Sequence, residues 1–228
     1  KCQYDDINNH RSHCCFLLRQ FFKVYNQKTS KNEGSHFGLI GIKNVGNTCY
    51  MSVALQCLSN CPELRNYFLR RDIIKNINSK NVLGYQGTIA LGFEYIVKRL
   101  WHQVESVCDP TQFKNAINIC NERFDGNSQQ DTHEFITFLI DSLHEDLNKV
   151  IKIEYIPREE RDLSDEIKSK IEWNNILKRN QSIIVDLFYG LFKSTVTCSN
   201  CQKSFTSFNA FSSLSVDIKK KKENKTAN

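Results

Sequence analysis

The chain has 228 residues, 40% hydrophobic and 11% aromatic, enough for one large domain or two small ones around a real core rather than a disordered chain. Most of its net charge of +6 sits in the last ten residues, where Lys219, Lys220, Lys221, Lys222 and Lys225 outnumber Glu223. The remaining body is close to neutral, which excludes a broad basic face for nucleic acid or acidic membrane, and leaves 219–228 as a solvated basic tail or loop.

Residues 1–37 form an unassigned extension. Cys14, Leu17, Leu18, Phe21, Phe22 and Tyr25 fit a helical stripe, but Arg19 and Gln20 interrupt it and it is too short to span a bilayer. The start, Lys1 to Asp6, is polar and acidic, not a signal peptide, and the missing initial Met predicts a piece of a longer protein. The ten cysteines are therefore expected to be reduced, in cytoplasm or nucleus. Cys2, His10, His13, Cys14 and Cys15 match no metal-ligand spacing.

A domain is expected from residue 38. Gly46, Asn47 and Thr48 precede a helix over 50–58, with Asn47 or Thr48 as its cap. Pro62 opens a second helix, ending near Leu69. Residues 72–84 read as a polar connection. Ile89, Phe93, Ile96, Val97 and Leu100 recur at helical spacing, and Pro110 starts a further helix with Phe113, Ile117 and Cys120 on one face. Asp125-Gly126-Asn127 is a break. A long helix is expected over 128–148, opened by a Ser128/Asp131 capping box and buried through Phe135, Phe138, Leu139, Ser142, Leu143 and Leu147. The charged stretch 158–172 reads as a solvated helix or insertion. After Ile183 the character changes. Gly190 to Cys198 and Lys203 to Ile218 are rich in β-formers and read as a hairpin whose turn carries Cys198 and Cys201. Helices first and strands later imply an α+β protein.

Three groups of residues carry chemistry. Gly41-Ile42-Lys43-Asn44-Val45-Gly46-Asn47-Thr48-Cys49-Tyr50-Met51 delivers a cysteine to the first turn of a helix. The unpaired amides and the dipole there favour thiolate, the nucleophilic form, and can bind an oxyanion. Spacing alone leaves a buried structural cysteine open. Ser128-Gln129-Gln130-Asp131-Thr132-His133-Glu134-Phe135 reads by itself as a well-capped core helix. Cys198-Ser199-Asn200-Cys201 has metal-knuckle spacing, but tetrahedral zinc needs four ligands and one pair supplies two.

The cysteine segment closely resembles the Cys box of ubiquitin-specific proteases, Gly-Leu-x-Asn-x-Gly-Asn-Thr-Cys-Tyr-Met-Asn-Ser followed by Leu-Gln, here Leu55-Gln56. Ser52 and Val53 depart from its Asn-Ser. The second segment resembles the family's Gln-Gln-Asp-x-x-Glu-Phe motif, and the Cys198/Cys201 pair the first half of its fingers zinc site. The resemblance covers residues 37–218, with the three motifs in family order.

It implies a papain-like right-hand fold: thumb over about 38–182, start of the fingers over about 183–218. It implies a deubiquitinating cysteine protease with Cys49 as nucleophile and Asn44 supporting the oxyanion. Gln129 and Asp131 would bind the extended C-terminal tail of ubiquitin, and Cys198 and Cys201 would ligate a structural zinc. It implies ubiquitin and ubiquitinated proteins as partners, with no nucleic acid and no membrane. The family's catalytic His and its Asp or Asn partner lie downstream, so this chain is expected to be the N-terminal part of the domain and to turn over little by itself. The alternative is a catalytically inactive truncated relative that binds ubiquitin.

Overall fold

A computed structural model describes residues 38–70, 72–102, 106–152 and 163–217. The expectations for 1–37, the 219–228 tail and part of the charged stretch lie outside these residues. The elements run β1 (Gly41–Ile42), α1 (Cys49–Ser59), α2 (Pro62–Arg70), α3 (Thr88–His102), β2 (Val107–Cys108), α4 (Thr111–Cys120), α5 (Thr132–Leu147), α6 (Asp165–Leu177), α7 (Ile183–Phe188), β3 (Gly190–Thr197) and β4 (Ser204–Phe211). The fold is α+β and mostly helical, with two small sheets: β1 pairs with β2 in parallel, and β3 with β4 antiparallel.

Each central helix forms because its apolar residues repeat on one face. In α1 these are Tyr50, Met51, Ala54, Leu55 and Leu58, all buried. In α3 the five expected residues, Ile89, Phe93, Ile96, Val97 and Leu100, are buried, and Phe93 meets Phe68 of α2 edge-on at 4.9 Å between ring centroids. In α5, Phe135, Leu139, Ser142, Leu143 and Leu147 are buried and Phe138 half-buried. Phe124, Phe135 and Tyr50 close one end of this core, Phe124 and Phe135 at 5.2 Å and 90°. Each fully buried Phe contributes roughly 1.5–3 kcal/mol over its exposed state.

Four expectations are corrected. The connection 72–84 holds a 3-10 turn, Ile73–Asn76, because Ile73 is fully buried. The long helix begins at Thr132, not Ser128: Asp131 is its cap, accepting the Glu134 N–H at 3.0 Å. Thr48 occupies the cap position of α1 but makes no cap bond, because its hydroxyl is bonded to Asn44 and Val45. The second strand stops at Phe211, which pairs with Gly190 where β3 begins. Helix α6 has no buried residue, as a solvated helix should. Among the described residues, no helix is long and apolar enough to cross a membrane.

Candidate active site

The loop before α1 is built on one side chain. Asn44 Oδ1 accepts from Gly46 N at 3.1 Å, Thr48 N at 3.2 Å and Thr48 Oγ1 at 3.2 Å. Val45 N donates to Thr48 Oγ1 at 3.1 Å. Gly46 (φ 108°) and Asn47 (φ 50°) take left-handed backbone, which Gly and Asn tolerate best. With Oδ1 committed, the Asn44 amide group is oriented, and Nδ2 is its remaining donor. The entry is fixed by Lys43 N, which donates to Cys108 O at 2.9 Å beside the β1–β2 pair. Gln56 Nε2 donates to Ile40 O at 3.0 Å and ties α1 back to the residue just before β1.

Cys49 is the first residue of α1, and it is exposed while Tyr50 and Met51 turn inward. Its amide is among the first-turn N–H groups that lack an intrahelical partner. The thiol thus stands at a helix start rather than in the core.

The second loop, 125–131, lies against the first. Asn47 Nδ2 donates to Asn127 O at 2.7 Å, and Lys114 Nζ donates to Asn127 Oδ1 at 3.0 Å. Gln130 Nε2 donates to Arg123 O at 3.1 Å, and Arg123 pairs with Glu134. Gln129 and Asp131 are exposed on this braced loop. The N–H groups of Glu134 and His133 at the helix start hold the Asp131 carboxyl below its ordinary value. Helix α5, which Asp131 caps, packs on α1 through the Tyr50–Phe135 ring contact at 5.2 Å. So the Cys49 loop and the Gln129/Asp131 loop are neighbours, joined by Asn47 and Asn127.

No histidine bonds to Cys49 among the described residues. His133 is exposed on the first turn of α5. His144 is buried, with Nδ1 at 2.7 Å from Ser182 Oγ and Nε2 at 3.1 Å from Asn180 Oδ1.

Cys198 and Cys201 stand at the far end of the β3–β4 hairpin, both exposed. The N–H groups of Cys201 and Asn200, and then the Cys201 thiol, hold the Cys198 thiol below its usual range. The pair supplies two thiols where tetrahedral zinc takes four ligands, and no cluster of three or more ligand residues exists among the described residues.

Sequence reasoning did not single out Lys114, Arg123 or Asn127, nor the Gln56 bond that braces α1. Lys114 carried a readable signal, a charge beside the apolar face of Phe113 and Ile117, where lysine is rarely buried.

Residues 40–226 match the family described as Ubiquitin carboxyl-terminal hydrolase. The chain is 39% identical over 217 residues to Ubiquitin carboxyl-terminal hydrolase 15 of Rattus norvegicus, covering 95% of this chain and 23% of that protein. It is 39% identical over 204 residues to Ubiquitin carboxyl-terminal hydrolase 4 of Mus musculus, covering 89% and 21%. The chain thus spans less than a quarter of the length of these curated relatives. Among solved structures, it is similar to the SAGA Ubp8/Sgf11/Sus1/Sgf73 DUB module bound to ubiquitin aldehyde. The TM-score is 0.56 at 26% identity, covering 97% of this chain and 43% of that one.

Proposed function

This chain belongs to the ubiquitin carboxyl-terminal hydrolase family, and we propose on that premise that it carries the nucleophile and tail-binding loops of a deubiquitinating cysteine protease. One observation carries the reading. An exposed thiol at the first residue of a helix lies on a loop tied directly to a second loop that presents Gln129 and Asp131.

The proposed chemistry follows from that arrangement. Cys49 thiolate attacks the carbonyl carbon of ubiquitin's C-terminal glycine, and the carbonyl π electrons move onto oxygen. The Cys49 amide and Asn44 Nδ2 donate to that oxyanion. Asp131 accepts from N–H groups of the extended tail, and Gln129 both accepts and donates. Collapse breaks the C–N bond, the amine leaves with a proton, and water hydrolyses the thioester. The proton comes from a histidine acid in this family, a role no described histidine fills at Cys49. Residues 38–182 would form the thumb of the papain-like hand and 183–218 the start of its fingers. There Cys198 and Cys201 would hold half the ligand set of a structural zinc. Ubiquitin and ubiquitinated proteins would be the partners, and thiols kept reduced would suit a chain of the cytoplasm or nucleus.

The second reading is a ubiquitin-binding relative without turnover, which would need only the loop that presents Gln129 and Asp131. A ubiquitin probe with a C-terminal electrophile separates the two, beside a fluorogenic conjugate that reads turnover. Little turnover by the 228 residues is expected, with single covalent labelling of Cys49 by a ubiquitin that bears a C-terminal electrophile. Ubiquitin binding without such labelling supports the second reading, and no ubiquitin-dependent reaction or binding at all refutes both.

A further inference from the structure

Three side chains around the two loops have no direct part in that chemistry yet are joined in series. Lys114 is only 9% exposed. Its ammonium is spent on one amide oxygen, Asn127 Oδ1 at 3.0 Å, although an apolar residue would fill that helix face more cheaply. Asn127 turns its backbone carbonyl the other way, to Asn47 Nδ2 at 2.7 Å. Its side chain also lies against Gly46, where an added Cβ would stand 2.7 Å from Oδ1. Asn47 holds a left-handed backbone, with φ 50°, to reach that carbonyl. Its bond spans 80 residues of sequence.

Resting on the assignment of Cys49 as nucleophile and of Gln129 and Asp131 as the tail site, we propose that Lys114, Asn127 and Asn47 are positioning residues that fix the nucleophile loop against the tail-binding loop. Cys49 follows Asn47 by two residues, and Gln129 follows Asn127 by two. A clamp two residues from each sets the distance from the thiol to the carbonyl that the held tail presents. Lys114 sets the Asn127 rotamer, Asn127 receives Asn47, and the absence of a Cβ at Gly46 lets the loops touch. The clamp therefore governs the reaction of bound ubiquitin more than its affinity.

The test uses the 228-residue chain and its Lys114→Met, Lys114→Arg, Asn127→Ala and Asn47→Asp variants. Lys114→Met keeps the buried stem and removes the charge, so it avoids the unpaired ammonium that Asn127→Ala leaves. Hydrogen exchange comes first, since it needs no ubiquitin. Lys114→Met should raise exchange in residues 44–49 and 125–131 and leave α3 unchanged, and unchanged exchange in both loops overturns the clamp. Labelling by a ubiquitin with a C-terminal electrophile comes second. A misplacement of about 1 Å costs up to ~100-fold in rate, so the maximal labelling rate of Lys114→Met and Asn47→Asp should fall about tenfold, with half-saturation changed less than about twofold. Lys114→Arg should restore most of the rate. Iodoacetamide, which needs no tail site, should alkylate Cys49 equally in every variant. A rise in half-saturation with an unchanged maximal rate overturns the positioning role. If wild type shows no saturable labelling, the nucleophile assignment itself fails, and the exchange result still decides whether the two loops are clamped.

Discussion

Asp146 is the sharpest test of how the helical core is held. It lies near the end of α5, is fully buried, and accepts four backbone N–H groups. Oδ1 takes Tyr85 N at 2.7 Å and Gly87 N at 3.0 Å; Oδ2 takes Ile89 N and Ala90 N, each at 3.1 Å. The last two are first-turn amides of α3, which have no intrahelical partner. Burial pushes the Asp146 carboxyl above its ordinary value, against the four amides that pull it down. Asp146→Ala strips all four, and the Gly87, Ile89 and Ala90 bonds are buried. At about 1–3 kcal/mol per orphaned buried donor, the loss is roughly 3–9 kcal/mol, a large share of the ~5–15 kcal/mol that holds a domain. Asp146→Asn keeps one acceptor oxygen and turns an NH2 toward the other pair of amides, so about half that loss is expected. Urea denaturation followed by far-ultraviolet circular dichroism measures both. The reasoning is refuted if Asp146→Ala costs no more than a surface substitution, under about 0.5 kcal/mol, or if Asn and Ala cost the same.

Gly46→Ala should cost about 2 kcal/mol in the same assay, because φ 108° strains any side chain and the new Cβ meets Asn127 Oδ1. Asp131→Asn should keep α5 capped yet weaken ubiquitin-probe binding about tenfold, by loss of a charged acceptor, as titration calorimetry with Cys49→Ala would read. Because the folded Asp131 carboxyl is held below the ordinary 3.8, the cap's contribution should be complete above that pH. It should be lost only as pH falls through the lower folded value, so helix content monitored from pH 7 to 4 should not report its titration. Cys198→Ser should leave core stability within about 0.5 kcal/mol, since the residue is exposed at the hairpin end. Cys198 should alkylate at neutral pH faster than an ordinary cysteine, because its thiol is held low.

The helices were legible because their stripes are long and regular: 89, 93, 96, 97 and 100 admit little but one buried face. Their ends were less so. Both Ser128 and Asp131 can cap, and spacing does not choose between them. Asp131 wins because residues 127–130 are drawn off to Asn47, Lys114 and the carbonyl of Arg123, so the helix starts only where those ties end. The β4 strand was read too long for a similar reason. Leu214 and Val216 are fit for a strand, but β3 starts at Gly190 and offers them no partner. Cys49, Gln129 and Asp131 stood out through a sequence resemblance, whereas the bonds from Asn47 to Asn127 and from Gln56 to Ile40 join distant residues that no local pattern relates.

Burial is divided unequally, and the division bears on how the proposed site is built. Residues around Cys49 and Asp131 rest on α1, α3, α4 and α5, whose side chains form one continuous core. The hairpin does not share it. None of its residues is buried, Val196 and Phe205 stand out in solvent, and both outer strand edges are unpaired within the described residues. What steadies it is local: Phe192 stacks on Phe211 at 3.9 Å, Lys193 pairs with Asp165 of α6 at 2.6 Å, and α6 itself has no fully buried residue. An isolated two-stranded hairpin is marginal in water, so its opening need not disturb the core that carries Cys49. A metal bridging Cys198 and Cys201 to further ligands would therefore order the arm rather than the nucleophile. The tie that matters for Cys49 is instead the short one across the two loops, where a single asparagine carbonyl stands between the thiol's loop and the loop that would hold its substrate.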